Sequence, residues 1–234
     1  MKYFKQLILG TVTILLLFML SACGSSSSDS TESTTDSSLS GVVVDGYLDG
    51  AKVFLDCNNN LEKDYNEVTV DWTDKNGEYS FDIPDNTSDC AVVAIGIANR
   101  TFEHFDNGTA ELLKDNLTMV SMDNGSYRVI SPFTSLHWYY MNNNDNMTFE
   151  EARNQVMQEL GLSSGNAVFE DFVARARDND SYQNMVQASH RMGESMGDYC
   201  SQDNSTDNMT VKMRNAFRLM HQNVGMDNFT DSNI

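Results

Sequence analysis

The hydrophobic pattern changes period at Ser131-Pro132, and that change constrains the fold more than any other feature. Before it, apolar residues come in short runs with turn signals between them. Gly41 to Val44 is followed by Asp45-Gly46, and Asp49-Gly50 by Ala51 to Leu55. Val68-Thr69-Val70-Asp71-Trp72 and Tyr79-Ser80-Phe81-Asp82-Ile83 alternate, with the turn Asp74-Lys75-Asn76-Gly77 between them and Pro84-Asp85 as a stop. Ala91 to Ile97 is continuous and apolar, as in a strand covered on both faces. Leu117 to Met122 and Tyr127 to Ile130 flank Asn124-Gly125, a hairpin signal. After Pro132 the apolar residues recur every three or four positions, which is a helical stripe. The spacing predicts helices over 149–160, 168–176, 181–199 and 211–224. Thr148 and Glu151 form a capping box for the first, and Gly161 ends it. The fold class is therefore α+β. An antiparallel β-sandwich occupies 39–130, and a helical region of three to five helices occupies 131–234, packed on the sandwich or as a small bundle of its own.

The segment 1–38 stands outside that fold. Lys2 and Lys5 precede an apolar run, Leu7 to Leu20, too short for a comfortable membrane span and suited to a signal peptide. Leu20-Ser21-Ala22-Cys23 resembles the bacterial lipobox, which implies cleavage after Ala22 and acylation of Cys23. Gly24 in place of Asp favours the outer membrane of a Gram-negative bacterium. Dual or triple acylation anchors a protein stably where one chain does not. Residues 24–38, GSSSSDSTESTTDSS, contain nothing to bury and read as a disordered spacer after the lipidated Cys23.

Formal charge is −19, and −21 once Lys2 and Lys5 leave with the leader. Such a chain repels nucleic acid and anionic lipid and attracts divalent cations. Asn-x-Ser/Thr triplets such as Asn107-Gly108-Thr109 follow from abundant Asn. Export permits disulfides. Cys57, Cys90 and Cys200 remain besides the anchor, and Cys57–Cys90 is the expected pair because both lie in the same β-rich region.

Residues 56–67 carry the one constellation with chemistry. Oxygen side chains fall at loop positions one, three, five, nine and twelve, namely Asp56, Asn58, Asn60, Asp64 and Glu67, and Glu62 at position seven offers its carbonyl. This is the ligand spacing of an EF-hand calcium loop, because a hard cation takes six to eight oxygens. Leu61 departs from the pattern where Gly makes the sharp turn. Two asparagines in place of aspartates predict weak affinity, on the order of 10⁻⁴–10⁻³ M.

Residues 41–81 resemble the prealbumin-like β-sandwich of carboxypeptidase regulatory-like domains and of the B-type repeats of staphylococcal serine-aspartate adhesins. The resemblance rests on G-V-V-V-D-G-Y-L-D-G-A-K-V-F-L-D-C-N-N-N, on Glu67 and on T-D-K-N-G-E-Y-S-F. It implies a strand over 51–55 running into a calcium loop at 56–67, and a Thr73–Phe81 hairpin closing the core with Tyr79 and Phe81 inward. Ser131-Pro132-Phe133-Thr134-Ser135-Leu136 is similar to the segment that follows such domains in bacterial surface proteins.

Other groupings carry less. None of His104, His137, His190 and His221 sits in a zinc-binding spacing, and no nucleophile elbow surrounds Ser135. His190 and Glu194 are one helical turn apart, the spacing of a surface pair. The fourteen methionines fall on helical stripes and read as core rather than copper ligands. The expected function is a non-enzymatic, calcium-binding lipoprotein of the cell envelope with a structural or adhesive role. A protein or glycan partner at the cell surface is expected, and no nucleic acid. The alternatives are a glycan- or peptide-binding module using Trp138 and Tyr139 in an open groove, and a hydrolase whose acid–base groups meet only in the fold.

Overall fold

The computed structural model describes residues 37–67, 69–83, 89–105, 107–143, 147–162, 167–223 and 225. The leader, Cys23 and the spacer to residue 36 lie outside the described residues, as do Val68, Pro84, Asp85 and Val224.

Ten strands come first in the described chain: β1 (Ser37–Val43), β2 (Tyr47–Asp49), β3 (Lys52–Asp56), β4 (Thr69–Trp72), β5 (Glu78–Ile83), β6 (Ala91–Gly96), β7 (Phe102–His104), β8 (Ala110–Leu112), β9 (Leu117–Ser121) and β10 (Tyr127–Ile130). Five α-helices follow: α1 (Pro132–Asn143), α2 (Phe149–Glu159), α3 (Phe172–Ala176), α4 (Asp180–Gln202) and α5 (Met209–Asn223), with a 3-10 turn at Ala167–Phe169. The architecture is α+β. The strands form three sheets, ordered β10-β1-β5, β2-β7-β8 and β4-β3-β6-β9. The described strands and helices, from Ser37 on, belong to one compact unit.

β6 is the spine of the largest sheet, paired antiparallel with β3 and β9. Val92, Val93 and Ala94 are fully buried, which is why its sequence does not alternate. α1 lies on β9, and Ser135 Oγ accepts the Val120 N–H at 3.0 Å.

Several expectations need correction. β1 begins at Ser37, inside the segment read as disordered spacer. Ser37 and Ser38 pair with Ile83 and Asp82 in the backbone ladder, whose groups a polar sequence supplies as well as an apolar one. Asn124-Gly125 does not make a hairpin. β9 joins β6 while β10 crosses to another sheet and runs parallel to β1, with Val43 opposite Ile130. All-antiparallel pairing fails there. The Thr73–Phe81 segment is likewise a corner: β4 pairs with β3, β5 pairs with β1, and the turn between them changes sheets. Gly77 makes that turn at φ +71°, in the left-handed region open to glycine. Its N–H donates to the Asp74 carbonyl at 2.8 Å. Tyr79 is buried as expected, whereas Phe81 is only partly so. Finally, 168–176 is a 3-10 turn and a one-turn helix, not one continuous helix.

α1 has no counterpart among the helices read from spacing. Pro132 occupies its first position, where its missing N–H is not needed. Ser131 and Thr134 cap it reciprocally, Ser131 N to Thr134 Oγ1 at 2.9 Å and Thr134 N to Ser131 Oγ at 3.2 Å. Its residues from Pro132 to Trp138 are all buried. A helix covered all round shows no amphipathic stripe to detect. The methionine stripes are core: Met192, Met196, Met213 and Met220 are at most 1% exposed.

Candidate functional site

β3 delivers the chain into the 56–67 loop, and β6 fixes its base. Asp56 pairs with Ala91 at the end of the ladder, and the next residue outward on each side, Cys57 and Cys90, form a disulfide. Beyond it the loop folds on its own oxygens. Asp56 Oδ2 accepts the Leu61 N–H at 2.8 Å, and Oδ1 accepts Asn60 N at 3.3 Å. Asp64 Oδ2 accepts both amides, Asn58 Nδ2 at 2.6 Å and Asn60 Nδ2 at 3.0 Å. Asn60 Oδ1 accepts Glu62 N at 2.8 Å. Glu67 reaches back to close the loop, Oε1 accepting Cys57 N at 3.2 Å and Oε2 accepting Asp64 N at 2.9 Å. Asp56, Asn58, Asn60, Asp64 and Glu67 thus belong to one hydrogen-bonded ring.

Leu61 resolves its own anomaly. It adopts φ +58°, the left-handed conformation that glycine takes more cheaply. The cost to an L residue is roughly 1–2 kcal/mol. Its side chain is 1% exposed, within the core. Burying a leucine contributes about 2–3 kcal/mol, which outweighs the strain. The donor set suits calcium: oxygen-only, on a tightly turned loop, with carboxylates at both ends. Asn58 and Asn60 present their amide nitrogens to Asp64, and coordination requires those amides to turn.

The loop also holds helices. Trp138 Nε1 donates to Asn59 Oδ1 at 3.0 Å, and Asn59 Nδ2 to Asn142 Oδ1 at 2.7 Å, both partners on α1. Thr210 Oγ1 donates to the Asn59 carbonyl at 2.8 Å. Glu62 Oε1 accepts the Met209 N–H at 3.0 Å, placing a carboxylate on the first N–H of α5. Trp138 is fully buried, so it lines no open groove.

A second cluster lies elsewhere, and sequence spacing did not reveal it. Asp45 sits in the β1–β2 turn, Glu103 on β7 and His190 on α4. One ligand-capable atom from each falls within 4.8 Å of the others. Glu103 Oε1 accepts Gly46 N at 2.6 Å and meets His190 Nδ1 at 3.0 Å. Ser189 Oγ donates to Asp45 Oδ1 at 3.1 Å. Gly193 lets α4 approach: a Cβ there would stand 2.0 Å from Asp45 Oδ2. Burial holds the Asp45 carboxyl well above the usual carboxylate range, and the Glu103 charge adds to it. The Glu103 hydrogen bond pushes His190 up to about 9 against the opposing effect of burial, helped by the charges of Glu103, Asp45 and Glu194. His190 Nε2 lies 3.8 Å from Glu194 Oε2. The expected surface pair is therefore the outer edge of an inward-facing group. All three residues line a cavity of about 340 Å³.

Cys200 is free and partly buried, its thiol pushed up to about 11 by burial. His221 joins three helices, with Nε2 2.7 Å from Tyr140 Oη on α1 and 3.3 Å from Glu159 Oε2 on α2. Among the described residues no helix is long and apolar enough to cross a membrane. Comparison with family models, curated proteins and solved structures finds no match to this chain.

Proposed function

We propose that this chain is a calcium-binding lipoprotein of the bacterial cell envelope, tethered through acylated Cys23, with a structural or adhesive role and no catalytic activity of its own. The Leu20–Cys23 lipobox resemblance supports the anchor. We read its sheets as a variant of the prealbumin-like sandwich, supported by β3 leading directly into the loop and at odds with the parallel β1–β10 pair. The observation that carries the calcium reading is the conformation of the loop. Position six is left-handed with its N–H on Asp56, the turn an EF-hand loop requires, although the residue there is leucine.

The role follows from what the loop touches. Asp56, Asn58, Asn60, Asp64 and Glu67 would hold the ion, with the Glu62 carbonyl. The ion supplies charge that balances crowded carboxylates and stiffens the ring. Asn59 and Glu62, within the same loop, carry that stiffness to Trp138 on α1 and to the first turn of α5. Calcium then fixes how the helical layer seats on the strands, presenting a defined surface to a protein or glycan partner.

Calorimetric titration of the full-length chain with CaCl₂ tests this. One site of Kd about 10⁻⁴–10⁻³ M is expected. At calcium twenty times Kd, linkage raises stability by about 1.8 kcal/mol. Asp56→Ala and Glu67→Ala each abolish the heat. An athermal titration together with an unchanged melting temperature in the wild type overturns the reading.

The hydrolase alternative gains one observation: Asp45, Glu103 and His190 converge on a cavity. The glycan-platform alternative loses Trp138 to the core.

A further inference from the structure

The groups around the Asp45 cluster are arranged for something positive. Asp45 is 1% exposed and Glu103 4%. Each uses one oxygen for hydrogen bonding, Asp45 Oδ1 with Ser189 and Glu103 Oε1 with Gly46 and His190. Asp45 Oδ2 and Glu103 Oε2 accept no hydrogen bond among the described residues. Neither atom is among the fully enclosed polar atoms that lack a partner, so both oxygens open onto the cavity these residues line, where a ligand can reach them. The cavity wall repeats the sign: Glu111, Asp115, Glu194 and Asp198 line it, while Lys114 is engaged by Glu194 at 3.1 Å. Low-dielectric walls whose charge is mostly of one sign concentrate ions of the other sign.

We infer that Asp45, Glu103 and His190 form a binding site for a divalent first-row transition cation, separate from the calcium loop. Two carboxylates and an imidazole suit Zn²⁺ or Mn²⁺, since an imidazole nitrogen is a poor partner for calcium, which takes oxygen. The ligands come from three elements, so the ion crosslinks the β1–β2 turn, β7 and α4. Gly193 is the opening in α4 that admits Asp45. Three protein ligands leave coordination positions free. The cavity of about 340 Å³ adjoins them. That is the plan of an open metal site, where a bound water or small ligand completes the shell.

The test is titration of the full-length chain with ZnCl₂, and separately MnCl₂, in the Asp56→Ala/Glu67→Ala background so that the calcium loop does not contribute. One equivalent of Zn²⁺ is expected to bind and to shift the His190 imidazole nitrogen resonances; Mn²⁺ broadens them. His190→Gln and Asp45→Asn each weaken binding at least about tenfold, the effect that even outer-shell partners have. His104→Gln, which removes the surface pair 3.2 Å from Asp49, leaves it unchanged. His190 is partly exposed, so its variant remains informative if Asp45→Asn fails to fold. Absence of saturable Zn²⁺ and Mn²⁺ binding overturns the inference. So does binding that survives His190→Gln at full affinity. Neither result bears on calcium at residues 56–67.

Discussion

Substitutions at Leu61 separate the two forces that meet there. At most buried positions glycine is a worse replacement than alanine, because it removes more apolar surface and costs more chain entropy, about 0.5–1 kcal/mol. Leu61 should reverse that order. Leu61→Ala removes a side chain that is 1% exposed and leaves the strained φ of +58° in place. The expected loss is about 3 kcal/mol. Leu61→Gly loses at least that packing and about 0.5–1 kcal/mol of chain entropy but relieves about 1–2 kcal/mol of left-handed strain, so its net cost is about 2 kcal/mol. In a unit of this size each kcal/mol shifts the melting temperature by roughly 2–4 °C, so Leu61→Gly should melt about 4–8 °C below the wild type and above Leu61→Ala. The assay is urea unfolding in chelator, with thermal melts in parallel. A glycine variant less stable than the alanine variant would falsify the left-handed conformation. A neutral effect in both would refute the burial.

Two further outcomes test the surroundings of the loop and the helical layer. Replacing both cysteines by serine, Cys57→Ser with Cys90→Ser, opens a link of sequence separation 33. It should cost about 4 kcal/mol on the chain-entropy account, read as a lower urea midpoint; a loss under about 1 kcal/mol would contradict it. The Glu159 hydrogen bond raises His221 above its ordinary value, with burial opposing it. A histidine raised in the folded state contributes stability that is complete below its unfolded value and is lost as pH climbs through the folded one. Stability measured from about pH 6 upward should therefore fall more steeply in the wild type than in His221→Gln, and parallel curves would show that the α5–α2 contact carries no such linkage.

How much was legible in the sequence differs from element to element. The α+β class, the turn at Gly77 and the capped start of α2 were readable because each depends on residues near one another in the chain. So was the spacing of Asp56, Asn58, Asn60, Asp64 and Glu67, which all lie within one loop of backbone. What escaped was decided across long separations. β2, β7 and β8 are only three residues each, too short to show a period, yet their sheet carries Glu103. α1 escaped for the opposite reason, since burial on every side removed the stripe that marks a helix.

The order of residues alone settled which segments extend, which coil, and where oxygens crowd along a loop, since local backbone preference and hydrophobic period act over a few residues. Only the folded chain decided that Asp45, Glu103 and His190 meet, because the last two alone stand 87 positions apart. It also decided that Leu61 trades backbone strain for a place in the core. Both outcomes depend on what the rest of the molecule packs against those residues, and no local pattern encodes that.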